Sequence, residues 1–178
     1  MVQTWLTADL HINHSKIIQY CNRPFKNVDD MNKKLIKNWN NRVKKDDIVY
    51  HVGDFCFREH KDTPKAEHWI KQLNGRIIFI NGNHDEGGRN TLKTDIHSVI
   101  IKKGKRYFYL VHDPKDAENF DINIVGHVHK EWKFKTEKWS IGQNIDLINV
   151  GTDMWNYAPV SYDQMMKEYN KWKKNLLV

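Results

Sequence analysis

The 178-residue chain is 39% hydrophobic and carries seven Trp, seven Tyr and seven Phe, which supports a folded core and excludes a disordered chain. Its length fits a single domain over residues 1–178, and no apolar stretch approaches the ~20 residues needed to span a bilayer. The formal net charge of +7 fits a polyanionic partner such as nucleic acid.

In chain order, residues 4–8 read as a strand and 15–20 as a short helix that ends before Arg23-Pro24. Residues 28–43 read as a longer helix, because Met31, Leu35, Trp39 and Val43 fall four apart on one face. Asp29 and Asp30 lie in its first turn, where negative charge favours the helix dipole. A strand over 48–52 precedes a helix with Thr63-Pro64 as N-cap and first residue. That helix stops at Gly75 and turns Ala66, Trp69, Ile70 and Leu73 inward. Residues 77–80 form the next strand, after which strands follow one another: 97–102 and 105–111 around a hairpin turn at Lys103-Gly104, then 122–125, 132–138 and 145–150. Ser161-Tyr162-Asp163-Gln164 is a capping box opening the last helix, whose Tyr162, Met165, Tyr169, Trp172 and Leu176 make a core-facing stripe. Alternating βα units followed by runs of strands predict two packed sheets with helices outside.

Positive charge is concentrated. Residues 13–45 hold nine Lys and Arg against two Asp, and Lys102, Lys103, Lys105 and Arg106 form a second cluster. Lys33, Lys34 and Lys37 are read as a solvated helix face. Cys21 and Cys56 stand outside any CxxC spacing, which predicts free thiols in a reducing compartment. The N-terminus runs directly into strand-like sequence without a signal-peptide pattern, so a cytoplasmic location is expected, with no membrane partner.

The chemistry sits at the downstream ends of five apolar runs. These ends are Asp9-Leu10-His11, Gly53-Asp54, Gly82-Asn83-His84-Asp85, His112 and Gly126-His127-Val128-His129. Five such ends on one side of a sheet would converge. Carboxylate, imidazole and amide oxygen without thiolate suit a pair of divalent cations better than a structural zinc site. Asp54 is the candidate bridge, since its two oxygens have separate lone pairs. His84, next to the amide ligand Asn83, is a candidate proton donor to a leaving oxygen, and Asp85 is placed to hold its tautomer. Arg23 has two open roles, a bidentate phosphate clamp or a loop anchor. His14, His51, His60, His68 and His97 are read as ordinary histidines, although His14 and His51 are close enough in sequence to support the ligands; His14 joins Arg23 as a candidate substrate contact.

The ordered set DxH, GD, GNHD, H and GHxH resembles the calcineurin-like metallophosphoesterase superfamily. Asp9-Leu10-His11-Ile12-Asn13-His14, the segment from Tyr20 to Phe25 and the segment from Asn149 to Pro159 resemble its small single-domain bacterial and phage members, so the likeness spans roughly residues 4–160. The resemblance implies an α/β fold, a four-layer αββα sandwich with a dinuclear centre at the strand ends. It implies Asp9, His11 and His129 on one metal, Asn83, His112 and His127 on the other, Asp54 between them, and His84 as acid oriented by Asp85. Two departures stand out: Phe57 replaces an acid before Arg58, and Asp113 replaces an aromatic before Pro114.

The expected activity is hydrolysis of a nucleotide-type or other small phosphodiester by in-line attack of metal-bound hydroxide, with two cations ~3.5–4 Å apart. Manganese is the expected ion, with iron, zinc, cobalt and nickel as alternatives. A nuclease acting on DNA or RNA and a non-catalytic scaffold on the same fold are the competing readings; a scaffold has no need of His84.

Overall fold

The computed structural model describes residues 2–58, 62–85, 92, 94–139 and 142–176. Strands β1 (Thr4–Thr7), β2 (Ile48–Val52) and β3 (Arg76–Ile80) pair in parallel. Strands β4 (Ser98–Lys103), β5 (Arg106–Val111), β6 (Ile122–Val125), β7 (Phe134–Lys138) and β8 (Asn144–Asn149) form a second, mixed sheet in the order β4-β5-β6-β8-β7. Strand β9 (Val160–Ser161) returns to the first sheet and pairs antiparallel with β1. Helices α1 (Ile17–Tyr20), α2 (Val28–Asn40) and α3 (Ala66–Ile70) lie along the first half of the chain, and α4 (Tyr162–Asn175) closes it.

Alternation along the strands sets the layers. On β1, Trp5 joins a cluster with Met31, Leu35 and Trp39 of α2 and Trp69 of α3. Its neighbour Leu6 faces the other way, into a core shared with Phe108, Leu110, Ile124 and Ile148 of the second sheet and with Met165 and Tyr169 of α4. On the far face of the second sheet, Val111, Val125, Ile145 and Leu147 are covered by Ala117, Trp132 and Trp139. The expected pair of packed mixed sheets with helices is what the chain forms.

Local chemistry explains most of the boundaries. Asn27 caps α2 by accepting from the Asp30 N–H at 2.9 Å, and Ser161 caps α4 by accepting from the Gln164 N–H at 3.2 Å. The hairpin turns at Gly104, with φ of 61°. Two expectations need correction. Helix α3 begins two residues after Thr63-Pro64, with Lys65 as an extended cap that makes no side-chain cap bond. Leu176 is the residue that ends α4 and is 57% exposed, so it leaves the core stripe that Met165 and Tyr169 form. Strand β9 is only two residues long, too short to show a period.

His51 points into this core from β2 and is completely buried, edge-on to Phe55 with ring centroids 5.2 Å apart. Burial drives its pKa from 6.5 down to about 3. The unfolded chain therefore binds a proton between those values that the folded chain does not. Stability from this group is full above pH 6.5 and falls as the pH drops toward 3. Between pH ~7.5 and ~5.5, denaturant unfolding should show the parent protein losing about 1.4 kcal/mol more than His51→Leu; equal losses would clear His51 of the effect. His60 lies outside the described residues.

Candidate metal centre

The five motif-bearing strands do end together, but on two sheets: β1, β2 and β3 belong to one, β5 and β6 to the other. The parallel direction within each group carries all five downstream ends to one rim of the sandwich. Main-chain bonds lock the loops there. Asp9 N–H donates to the Gly53 carbonyl and His11 N–H to the Asp54 carbonyl, both at 3.0 Å, and Gly126 N–H donates to the His112 carbonyl at 3.0 Å. Asp9, His11, Asp54, His127 and His129 all take positive φ, between 46° and 69°. Non-glycine residues adopt this region at a cost, and such strain gathers where side chains must be aimed. Gly53 is required for the same reason: a Cβ there would run into the His112 ring.

The donors converge. Asp9, His11 and His129 present ligand atoms all within 4.8 Å of one another, as do Asp9, Asp54 and His112. Asp54 Oδ2 lies 3.3 Å from His11 Nε2 and 3.3 Å from His112 Nε2, so one carboxylate oxygen touches both groups. Asn83 Oδ1 lies 3.1 Å from His112 Nε2 and 2.9 Å from His127 Nδ1. The remote ring nitrogens are held by oxygens, as metal-binding imidazoles require. His112 Nδ1 donates to the Val52 carbonyl at 2.8 Å, His129 Nδ1 meets Asp153 Oδ2 at 3.0 Å, and His127 Nε2 is 3.8 Å from Asp113. Asp113, which departs from the family pattern, thus faces the His127 ring at a distance beyond hydrogen bonding.

Arg23 is a loop anchor. Its side chain is wholly buried, and it donates from Nε and Nη2 to Asp153 at 3.0 and 2.8 Å. Its remaining N–H groups reach the Leu10 carbonyl, the Asp9 carbonyl and the Met31 sulfur. A guanidinium has five donors, and all five are used, so the phosphate-clamp role does not fit. Asp85 accepts from three backbone groups, Asp54 N–H at 2.6 Å, Gly82 N–H at 3.0 Å and Phe55 N–H at 3.1 Å. Those bonds clamp the Asp54 and Asn83 loops together, where the sequence suggested a partner for the His84 ring. His14 stacks on Phe57 at 4.4 Å and borders the cavity beside His84. Phe57, the second departure, therefore serves as a wall for His14. Asp153 was missed, although Gly151-Thr152-Asp153 follows β8 in the same strand-then-acid pattern as the motifs of Asp9, Asp54 and Asp85.

Comparison with known proteins agrees with this geometry. The family model described as calcineurin-like phosphoesterase matches residues 2–122. The chain belongs to the calcineurin-like phosphoesterase family. The matched span holds the motifs up to His112, and the fold brings His127 and His129 to them from beyond it. The chain is 42% identical over 175 residues to an uncharacterized protein, MJ1445, of Methanocaldococcus jannaschii, covering 97% of this chain and 94% of that one. It is 35% identical over 100 residues to the gene 66 protein of Mycobacterium phage L5, covering 56% and 47% respectively. The crystal structure of AQ665 from Aquifex aeolicus, a protein of unknown function, shares the fold with a TM-score of 0.69 at 22% identity, covering 94% of this chain and 99% of that one. As a calcineurin-like phosphoesterase, the protein is a metal-dependent hydrolase of phosphoric esters. No helix among the described residues is long and apolar enough to cross a membrane.

The electrostatics of this phosphoesterase rim suit cations. Burial opposes charge on His129 and His112, yet both are pushed up, His129 to about 10 by its bonds to Asp153 and Cys21 and the Asp9 charge, His112 to about 9 by Asp54 and Asp9. Burial also opposes the Asp54 charge, but His112 and His11 hold its carboxyl well below the usual range. Desolvation pushes Asp9 up and His11 down. Buried carboxylates therefore draw positive charge to the imidazoles, and cation binding would displace those protons. Asp153 tests the outer support. Asp153→Asn is expected to weaken metal binding ~10–100-fold and, by leaving Arg23 buried and unpaired, to cost about 3–5 kcal/mol of stability. Metal titration and denaturant unfolding read the two effects separately, and an unchanged metal affinity would discount the support role.

Proposed function

We propose that this rim binds two divalent transition-metal ions, manganese in the first instance, and hydrolyses a small phosphodiester of nucleotide type. The shared oxygen of Asp54, within 3.3 Å of both His11 and His112, carries the reading. Asp9, His11 and His129 would hold one ion, Asn83, His112 and His127 the other, with Asp54 between. Bound there, the pair would polarise the phosphoryl group and activate a water. His84 faces solvent at the mouth of the site, its ring 5.2 Å from that of His11, and its backbone N–H donates to Asp54 Oδ1 at 2.9 Å. From that position it donates a proton to the leaving oxygen. Asp85, by holding the Asp54 and Asn83 loops, keeps His84 in register.

Two cavities favour a diester over a monoester. One of about 720 Å³ borders Asp54, His127 and His129; another of about 380 Å³ borders Asn83 and His112. A phosphate seated at the ligands can send one ester arm into each. Asp113 and Asp116 line the smaller cavity, an acidic wall that disfavours a continuing polynucleotide and so the nuclease reading. A protein scaffold has no use for five strained donor residues. The test is elemental analysis of protein purified from manganese-supplemented culture, paired with rates on an aryl phosphodiester and the matching monoester. About two metal equivalents and faster diester hydrolysis are expected. Preference for the monoester would remove the diester assignment, and a metal-independent rate would remove the dinuclear one.

A further inference from the structure

The larger cavity extends well past the donor set, from Asp54, His84 and His129 out to Tyr20 and Asn22 on one lip and Lys130 and Glu131 on the other. Tyr20 ends α1 and is 70% exposed, more than any other large apolar or aromatic side chain among the described residues. It is not there for packing, because α1 is anchored through Ile17, which is 4% exposed. The ring stands edge-on to His14 at 6.4 Å, and His14 lies 5.5 Å from His11, so an open aromatic face sits two ring-to-ring steps from the metal donors. Lys130 Nζ donates to the Asn22 carbonyl at 2.8 Å, which ties the two lips together beside it.

We propose that Tyr20 is the stacking platform for a nucleobase whose phosphate is seated at the metal centre, an assignment that rests on the phosphoesterase reading above. Stacking on an aromatic side chain tolerates any base, because every base offers a π-face. The surroundings favour a base over an acyl chain: the cavity lining carries an amide, Asn22, on the Tyr20 side and a carboxylate, Glu131, on the facing lip, groups suited to the hydrogen-bonding edge of a base. An acyl chain would instead need a continuous apolar wall, whereas Ile17, Cys21 and Val128 share this lining with Asn22, Lys130 and Glu131. The substrate arm on this side is therefore a nucleoside.

Calorimetric binding to the manganese-loaded protein tests this with three probes: adenosine 5′-monophosphate, glycerol phosphate and inorganic phosphate. The nucleotide is expected to bind more tightly than glycerol phosphate. Tyr20→Ala should weaken the nucleotide on the order of 10- to 100-fold and leave inorganic phosphate unchanged, and Tyr20→Phe should keep the parent affinity. Because Tyr20 is mostly exposed, neither substitution threatens the fold. Equal affinities for nucleotide and glycerol phosphate, or a Tyr20→Ala loss shared by all three probes, would overturn the base subsite while leaving the phosphoesterase in place. Failure of every probe to bind would bring down both.

Discussion

Asp54→Ala is expected to lower metal occupancy at both positions together and to reduce diester hydrolysis by more than ~100-fold, beyond the ~10–100-fold typical of losing an outer support. The geometry gives the reason. One oxygen of Asp54 faces His11 and His112 at 3.3 Å each, and the other accepts the His84 N–H at 2.9 Å. Removing the carboxylate thus takes a donor from both groups and frees the loop that carries the proposed acid. Alanine must in addition adopt a φ near 59°, so a loss of stability has to be separated from a loss of metal. Asp54→Asn does this, since asparagine tolerates that conformation and keeps one neutral oxygen. Elemental analysis of both variants, with a melting curve for each, decides the matter. Metal fully retained in folded Asp54→Ala would remove the bridging role.

The sequence exposed the strands and their terminal motifs because each obeys a local rule, an apolar β-branched run broken by a polar residue. Asp9, His11, Asp54, Asn83, His112, His127 and His129 are all found this way, and the fold brings them together. What stayed hidden depends on partners distant in the chain. Arg23 reads as a phosphate ligand or an anchor until Asp153, 130 residues downstream, is seen to occupy two of its donors. Asp85 sits next to His84 in sequence, yet its carboxylate reaches back about thirty residues to the Asp54 and Phe55 amides. Asn149 is a further case: its buried amide donates to the carbonyls of His129 and Trp132 at 2.9 and 2.8 Å, which fixes the loop bearing His127 and His129. None of these contacts has a spacing that a period of two or 3.6 residues can display. The same limit explains β9, a two-residue strand created by its neighbour β1.

His84→Ala separates chemistry from metal binding. The ring belongs to none of the groups of converging donors found among the described residues, and the bond that His84 makes to Asp54 comes from its backbone, which alanine retains. Metal content and melting behaviour should therefore match the parent. Turnover should not: loss of a positioned acid costs ~10²–10⁴-fold, and the loss should grow with the basicity of the departing oxygen. A nitrophenyl diester leaves as a stabilised anion and needs little help, whereas an alkyl or ribose oxygen needs a proton as the bond breaks. The informative measurement is the ratio of variant to parent rates across a series of diesters of rising leaving-group pKa. A ratio that falls steadily along the series assigns the proton to His84. A flat ratio with a large loss would make His84 an electrostatic or positioning group, and parent-like rates throughout would take it out of the reaction.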